Sequence, residues 1–166
     1  GIAEDVQSFV EQYTTVAVER TLCRLMGIDG VDDNDVPLPN VVVEALKDKV
    51  ANALKGFEGS GLNVYEKDGK VYVSMDDKLL FASGSWNLNE QGLNAIKNLA
   101  QVLENETDIS VLIEGHTDNV PYRGSGQIKD NLDLSVMRAT AVVKALLGNG
   151  DIDPKRLSAS GRSEYL

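Results

Sequence analysis

The residues of this 166-residue sequence that are best placed to do chemistry are an acid and a guanidinium at the ends of two predicted elements. Thr117 and Asp118 directly follow a predicted strand over 109–114, and Arg138 lies near the start of a predicted helix over 134–147. Ligands of open sheets commonly bind beyond the carboxyl ends of strands. A carboxylate there can hold an ammonium group, and the planar fork of an arginine can hold a carboxylate. Asp118 and Arg138 together therefore predict non-catalytic binding of a zwitterion.

The position of Arg138 in its helix implies that it has a negatively charged partner. Ser135 is predicted to be the N-cap, which places Arg138 in the first helical turn. A cation there opposes the helix dipole at a cost of about 0.3–1 kcal/mol. Asp118, Asp133 or the carboxylate of a ligand is expected to compensate. A plain ion pair of Arg138 with Asp118 or Asp133 is the alternative that involves no ligand.

Other chemistries have less support in the sequence. Glu114, His116 and Asp118 alternate along a strand end and could face a metal, but His116 is the only histidine and Cys23 the only cysteine. These counts exclude an internal disulfide and a metal centre with several His or Cys ligands. His116 is expected to form a local hydrogen bond instead. The segment Gly124-Ser125-Gly126-Gln127 lacks the Lys-Ser/Thr ending of a phosphate loop. Taken together, these observations lead us to expect no catalytic residue, metal or cofactor.

Composition narrows the choice of partner. The chain carries 26 acidic and 16 basic residues, a formal net charge of −10, and 42% of its residues are hydrophobic. Such a charge argues against a nucleic-acid groove or an anionic membrane surface, where basic residues dominate. No stretch approaches the roughly 20 apolar residues of a membrane helix. We therefore expect neither nucleic-acid binding nor direct membrane insertion by this chain.

The first third of the chain is predicted to be a helical arm over residues 1–58. Apolar residues recur mostly at helical spacing over 3–26 and again over 40–55. The acidic stretch between them contains Pro37 and Pro39 and is expected to be a loop. Several glycines follow the second helix, and a domain boundary is predicted there, before residue 62.

Beyond residue 62 the hydrophobic period changes from that of a helix to that of a strand. Segments 62–66 and 70–74 flank Lys67-Asp68-Gly69, which predicts a β-hairpin. The further predictions are a buried strand end at 79–81, a helix over 90–104, a strand over 109–114, a long loop to 133, a helix over 134–147 and a strand over 157–160. This order predicts an α+β or α/β fold with helices on one face of the sheet.

Four motifs occur in a specific order along this part of the chain. They are Leu80-Phe81-Ala82-Ser83-Gly84-Ser85, Glu114-Gly115-His116-Thr117-Asp118, Asn131-x-x-Leu134-Ser135-x-x-Arg138-Ala139, and Asp153-Pro154-x-Arg156-Leu157-Ser158 with Gly161. In these motifs, over about residues 62–166, the sequence resembles the peptidoglycan-associating OmpA-like C-terminal domain family. Outer-membrane protein A, Pal lipoproteins and the flagellar stator protein MotB share that domain. Asn119-Val120-Pro121-Tyr122 is similar to the stator-type branch.

The resemblance implies an α+β fold, a βαβαβ sandwich with helices on one face of a mixed sheet. It implies non-catalytic binding of the diaminopimelate side of the peptidoglycan stem peptide. Asp118 and Arg138 match the ligand-clamping positions, and Thr117, Asn131 and Leu134 match positions that line the pocket. The implied partner is peptidoglycan. The implied location is periplasmic, at the cell wall or outer membrane, with the signal or anchor outside this chain.

The sequence departs from the family pattern in two places. Ala82 and Gly84 stand where many members have Asp and Asn, which removes a supporting polar contact. The sequence also stops where the family normally continues into a closing strand, so the sheet is expected to have an unprotected edge. The alternative function is therefore a structural module with an idle cleft, which forms homo-oligomers through the N-terminal helices or the open edge.

The N-terminal segment has a different resemblance. Phe9-Val10-Glu11-Gln12-Tyr13-Thr14-Thr15-Val16-Ala17-Val18-Glu19-Arg20 and the motifs that follow it to Asn40 resemble the start of the large subunit of lysine 5,6-aminomutases, over about residues 3–44. The catalytic barrel, pyridoxal-phosphate contacts and cobalamin subunit of that family have no room in this chain. We therefore expect a fusion of two segments joined near residues 44–46, without aminomutase activity. An aminomutase fragment is the third hypothesis.

Overall fold

A five-stranded mixed sheet organises this protein, which a computed structural model describes over residues 13–20, 40–59, 61–67, 69–107, 109–117, 119–124 and 126–163. The strands are β1 (Tyr13–Arg20), β2 (Leu62–Lys67), β3 (Lys70–Asp76), β4 (Ile109–Gly115) and β5 (Leu157–Gly161). Their order in the sheet is β2-β3-β1-β4-β5. β4 and β5 are parallel, and the other neighbouring pairs are antiparallel.

Helices pack on one face of this sheet and share one hydrophobic core with it. They are α1 (Asn40–Ala53), α2 (Asp77–Leu80), α3 (Glu90–Asn105) and α4 (Asn131–Asn149), with 3-10 turns at Lys55–Phe57 and Pro154–Arg156. The core joins Val50 of α1, Leu99 of α3 and Val142 of α4 to Val73 and Ile113 of the sheet. The predicted α+β class, with helices on one face of a mixed sheet, is confirmed. Within the described ranges, no helix combines the length and the apolar character needed to cross a membrane.

The elements with the clearest sequence patterns form as predicted. β2 and β3 make the predicted hairpin, and Gly69 of its turn has a φ of +77°, a backbone conformation that glycine adopts without strain. α3 begins at the predicted Glu90 and buries one apolar face. β4 and β5 also begin at the predicted residues. The local spacing of apolar residues was sufficient to predict these elements, because each of them presents one apolar face to the core.

The first predicted helix is wrong for residues 13–20, which form strand β1. This strand lies in the middle of the sheet, where Val16 pairs with Val73 of β3 on one side and Ile113 of β4 on the other. Four of the five residues over 14–18 are β-branched, which favours an extended backbone. The remainder of the predicted helix lies outside the described residues.

The predicted boundary between an arm and a domain does not separate the described elements. Val50 of α1 is fully buried in the shared core, and the Asn98 side chain of α3 donates a hydrogen bond to the carbonyl of Ala53 at 3.1 Å. β1 lies between β3 and β4, and β2 and β5 are the edges of the described sheet. An oligomer through either route stays a prediction.

Helix α4 begins earlier than predicted, at Asn131 rather than Leu134. Its N-cap is Asp130, whose carboxylate accepts a hydrogen bond from the backbone N–H of Asp133 at 2.9 Å. The predicted N-cap role of Ser135 is therefore wrong. Arg138 lies in the third turn of the helix, so its charge does not oppose the helix dipole, which acts mainly within the first turn.

The predicted strand end at 79–81 is also wrong. Asp77–Leu80 form the single helical turn α2, capped by Asp76, and Phe81 makes an isolated bridge with Leu88. Leu79 and Leu80 are buried as expected. Burial of a short apolar run was predictable, but such a run does not distinguish a strand from a helical turn.

Two glycines bring the strand ends against α4. A Cβ atom on Gly115 would lie 2.1 Å from the carbonyl oxygen of Ser135, and one on Gly161 would lie 2.5 Å from the Ser135 hydroxyl. Only glycine permits such a close approach. The contact brings the residues that follow β4, including Thr117, to the same end of the sheet as Arg138.

Candidate ligand-binding site

A cavity of about 350 Å³ opens beyond the carboxyl end of β4, between α2 and α4. Thr117, Asn131, Leu134 and Arg138 all line it, so the structure brings together four of the five predicted site residues. Thr117, Leu134 and Arg138 are buried, with 3%, 4% and 5% of their surfaces exposed. Asp118, the fifth predicted residue, lies outside the described residues.

The guanidinium of Arg138 is held by partners on two sides. Its Nη1 donates a hydrogen bond to Oδ2 of Asp77 at 2.8 Å, and its Nε donates to the carbonyl of Ser85 at 2.9 Å. The guanidinium carbon also lies 5.1 Å from the centre of the Phe81 ring, within the range of a cation–π contact. No acceptor in the described part of the chain receives a hydrogen bond from Nη2. That nitrogen can serve a carboxylate that enters the cavity.

Asp77 is the functional residue that sequence reasoning missed. The predicted pair of Asp133 and Arg138 is wrong, because the Asp133 carboxylate accepts from the backbone N–H of Lys129 at 2.9 Å, and Asp77 is the acid against Arg138. The sequence feature that could have indicated this role is the pair of neighbouring acids at 76–77. Asp76 caps α2 through a bond from the Lys78 backbone N–H at 2.9 Å, and the next acid faces the cavity.

The segment over 120–122 forms one wall of the cavity and is tied to α4. The Asn131 side chain donates a hydrogen bond to the carbonyl of Val120 at 3.0 Å. The Tyr122 ring packs closely against Gly124 and Gly84, since Cβ atoms there would lie 2.2 Å and 3.4 Å from ring atoms. Gly84, part of the first departure from the family pattern, has a φ of +65°, a backbone conformation that glycine adopts without strain.

The charges on the described cavity lining balance. Asp76 and Asp77 contribute two negative charges, and Lys78 and Arg138 contribute two positive charges. Charges of both signs suit a ligand that itself carries both signs, because each end of such a ligand finds a complementary group. A ligand with a single negative charge gains less from a lining of zero net charge.

The residues Glu114 and His116 are absent from the cavity lining. Nε2 of the buried His116 lies 3.0 Å from Oε1 of Glu114, and Nε of Arg162 lies 3.5 Å from the same oxygen. The hydrogen bond from His116, together with the charge of Arg162, holds the pKa of Glu114 below its usual value. The local hydrogen bond predicted for His116 is therefore made with Glu114. In the parts of the chain that the structure describes, no cluster of three His, Cys, Asp or Glu side chains could hold a metal.

Comparison with known proteins agrees with this fold. Residues 80–165 match the OmpA family, which is half of the chain, and the chain therefore belongs to the OmpA family. Residues 1–112 match the D-lysine 5,6-aminomutase TIM-barrel domain of the alpha subunit, so the N-terminal part carries sequence of that family. The described residues form one open five-stranded sheet rather than a barrel.

Individual relatives show the same division of the chain. Over 95 residues the chain is 32% identical to motility protein B of Bacillus subtilis. This alignment covers 57% of the chain and 36% of that protein. Over 64 residues it is 62% identical to the lysine 5,6-aminomutase alpha subunit of Acetoanaerobium sticklandii, covering 39% of this chain and 10% of that subunit. The chain thus spans about a third of the first relative and about a tenth of the second.

One solved structure supports the fold over most of the chain. The cell wall anchor of the T6SS from Pseudomonas aeruginosa is 27% identical and superposes with a TM-score of 0.59. The alignment covers 69% of this chain and 78% of that structure.

Proposed function

We propose that this protein binds peptidoglycan without catalysing a reaction and anchors an envelope protein to the cell wall. The ligand is the amino-carboxylate end of diaminopimelate in the stem peptide. The observation that carries the proposal is the buried guanidinium of Arg138, which lines the cavity and keeps Nη2 available to a ligand carboxylate. Asp118 receives the ammonium group, and Thr117, Asn131 and Leu134 shape the pocket around the ligand.

The comparisons support an envelope location and a wall-binding role for this chain. A solved relative is named as a cell wall anchor, and another relative is a motility protein. We place this domain in the periplasm, at the cell wall or the outer membrane. Aminomutase chemistry is not proposed, because the matched segment spans about a tenth of that subunit and the described residues form no barrel.

The proposed contacts give modest affinity for each site. A charge-assisted hydrogen bond contributes about 1.5–3 kcal/mol, and the ordering of ligand and protein offsets part of that gain. Retention on the wall then depends on the repetition of the ligand along the polymer. A weak site that rebinds along a dense array suits an anchor, because the anchored protein stays attached while each contact exchanges.

The proposal is tested by co-sedimentation with purified diaminopimelate-type sacculi. We expect the wild-type protein to be retained and Arg138→Ala and Asp118→Ala each to lose at least about tenfold in affinity, the equivalent of one lost charged contact. Arg123→Ala is the matched control, because it removes the same charge from an exposed position in the adjoining loop. Circular dichroism checks that each variant is folded. Equal retention of Arg138→Ala and the wild type would overturn the proposed site.

A further inference from the structure

We propose that Asp77 determines the specificity of this cavity: it makes the site select an amino-carboxylate over a ligand that carries only a carboxylate. The inference rests on the proposed function, since it concerns how the same cavity recognises its ligand. It concerns an acid that the sequence motifs do not include and that the structure alone brings to Arg138.

The geometry places Asp77 against the cation that receives the ligand. Oδ2 of Asp77 accepts from Nη1 of Arg138 at 2.8 Å, and the two side chains are 20% and 7% exposed. Water screens such a pair much less than it screens a surface pair. The carbonyl of Ser85 fixes the guanidinium plane through Nε at 2.9 Å. Arg138 is therefore held in one orientation, with an anion beside it before any ligand arrives.

This arrangement changes what the arginine attracts. An incoming carboxylate that approaches Nη2 is drawn by the guanidinium and repelled by the adjacent Asp77 carboxylate, so the two Coulomb contributions largely cancel. An α-amino acid carries its ammonium on the carbon next to its carboxylate. That ammonium enters the field of Asp77 when the carboxylate occupies Nη2, and the second contact restores the attraction that the first one loses.

The rest of the described lining has the same balance. Asp76 adds a negative charge beside Asp77, and Lys78 adds a positive charge. Neutralising Asp77 makes the lining more positive by one charge, which favours simple anions. The carboxylate of Asp77 thus acts against carboxylate ligands that lack an ammonium group, and rejection of such competitors is as much a part of specificity as attraction of the ligand.

The experiment compares two soluble ligands by isothermal titration calorimetry: free diaminopimelate and diaminopimelate that is acetylated on its amino groups. We expect the wild-type protein to prefer the free form by at least about tenfold. In Asp77→Asn we expect this ratio to fall by about tenfold, chiefly because the acetylated ligand binds more tightly. Asp48→Asn, which removes an exposed charge from α1, is the matched control and should keep the wild-type ratio.

The ratio of the affinities for free and acetylated diaminopimelate distinguishes a role in specificity from a structural role. Both ligands use the same pocket, so a variant that merely loosens the fold weakens the binding of both. If Asp77→Asn does not fold, Asp77→Ser is measured in the same way, and Asp77→Glu should retain the wild-type preference. An unchanged ratio in folded Asp77→Asn, with wild-type binding of sacculi intact, would overturn this inference alone. Wild-type protein that binds neither soluble ligand nor sacculi would overturn the proposed function, and this inference with it.

Discussion

Arg138 and Arg156 are almost equally buried, with 5% and 6% of their surfaces exposed, yet they have different partners. Arg156 donates to three backbone carbonyls: Nε donates to Ile109 at 2.8 Å, and Nη2 donates to Leu103 at 2.8 Å and Glu106 at 2.6 Å. Arg138 donates to one carbonyl and one carboxylate beside a cavity.

The partners, rather than the burial, separate the roles of these arginines. Arg156 donates to carbonyls at the end of α3 and the start of β4, two of which also accept backbone N–H groups at 3.3 Å, and a cation there favours the helix dipole. Arg138 is fixed on two sides and keeps donors for the cavity. We infer that the first arginine holds the fold together and that the second was kept for recognition. This difference predicts a graded series of substitutions.

Arg156→Ala should cause the largest loss of stability. The substitution removes three hydrogen bonds from a charged donor, each of which contributes about 1.5–3 kcal/mol, although the carbonyls of Leu103 and Glu106 keep backbone donors at 3.3 Å. We expect a total loss of about 3–5 kcal/mol in the free energy of unfolding, measured by urea denaturation. Protein that remains folded should still bind sacculi. A loss below about 1 kcal/mol would remove the distinction between the two arginines.

Arg138→Ala should cost less stability than Arg156→Ala but weaken ligand binding by at least about tenfold. It removes two charge-assisted hydrogen bonds, one to the Ser85 carbonyl and one to the Asp77 carboxylate, which water can still partly reach, and each contributes about 1.5–3 kcal/mol. Urea denaturation measures the loss. Adding Asp77→Asn should cost little more, because the two side chains act as a pair. A double variant whose loss equals the sum of both single losses would show that the pair is not coupled.

Glu114→Gln should have a smaller effect that depends on pH. Because folding holds the pKa of Glu114 below its usual value, the ionised carboxylate stabilises the fold above about pH 4.5. That contribution is lost as the pH falls through the lowered pKa. We expect the variant to be about 1 kcal/mol less stable than the wild type at pH 7. The difference should shrink below pH 4.5, as followed by urea denaturation across the pH range; a constant difference would contradict the role of the charge.

Arg162→Ala should have the smallest effect. Its side chain is 56% exposed and lies 3.5 Å from the Glu114 carboxylate, so water and salt screen the pair. We expect a change within about 0.5 kcal/mol in the free energy of unfolding. A thermal denaturation scan in low and high salt measures it. A loss as large as that of Arg138→Ala would show that exposure does not weaken the pair of Arg162 with Glu114.

The sequence was informative where a pattern is local. The Asp-Gly turn and the amphipathic run of α3 each carry their own signal, and four predicted site residues meet in one cavity. Strand β1 had no such signal, because its β-branched run lies within a pattern of helical spacing, and its pairing depends on strands far along the chain. Asp77 lies 61 residues from Arg138, so no local rule connects them. The place of Asp118 beside Arg138 stays a prediction.

The central position of β1 has a consequence for the order of folding. β1 is the first of the described strands, but Val73 and Ile113, the partners of its Val16, follow much later in the chain. At a synthesis rate of about 5–20 residues per second, β1 waits about 5–20 s before β4 exists. The middle of the sheet is therefore completed by a contact between distant parts of the chain, and such contacts form slowly. We therefore expect closure of the sheet around β1, rather than formation of any helix, to limit the rate of folding.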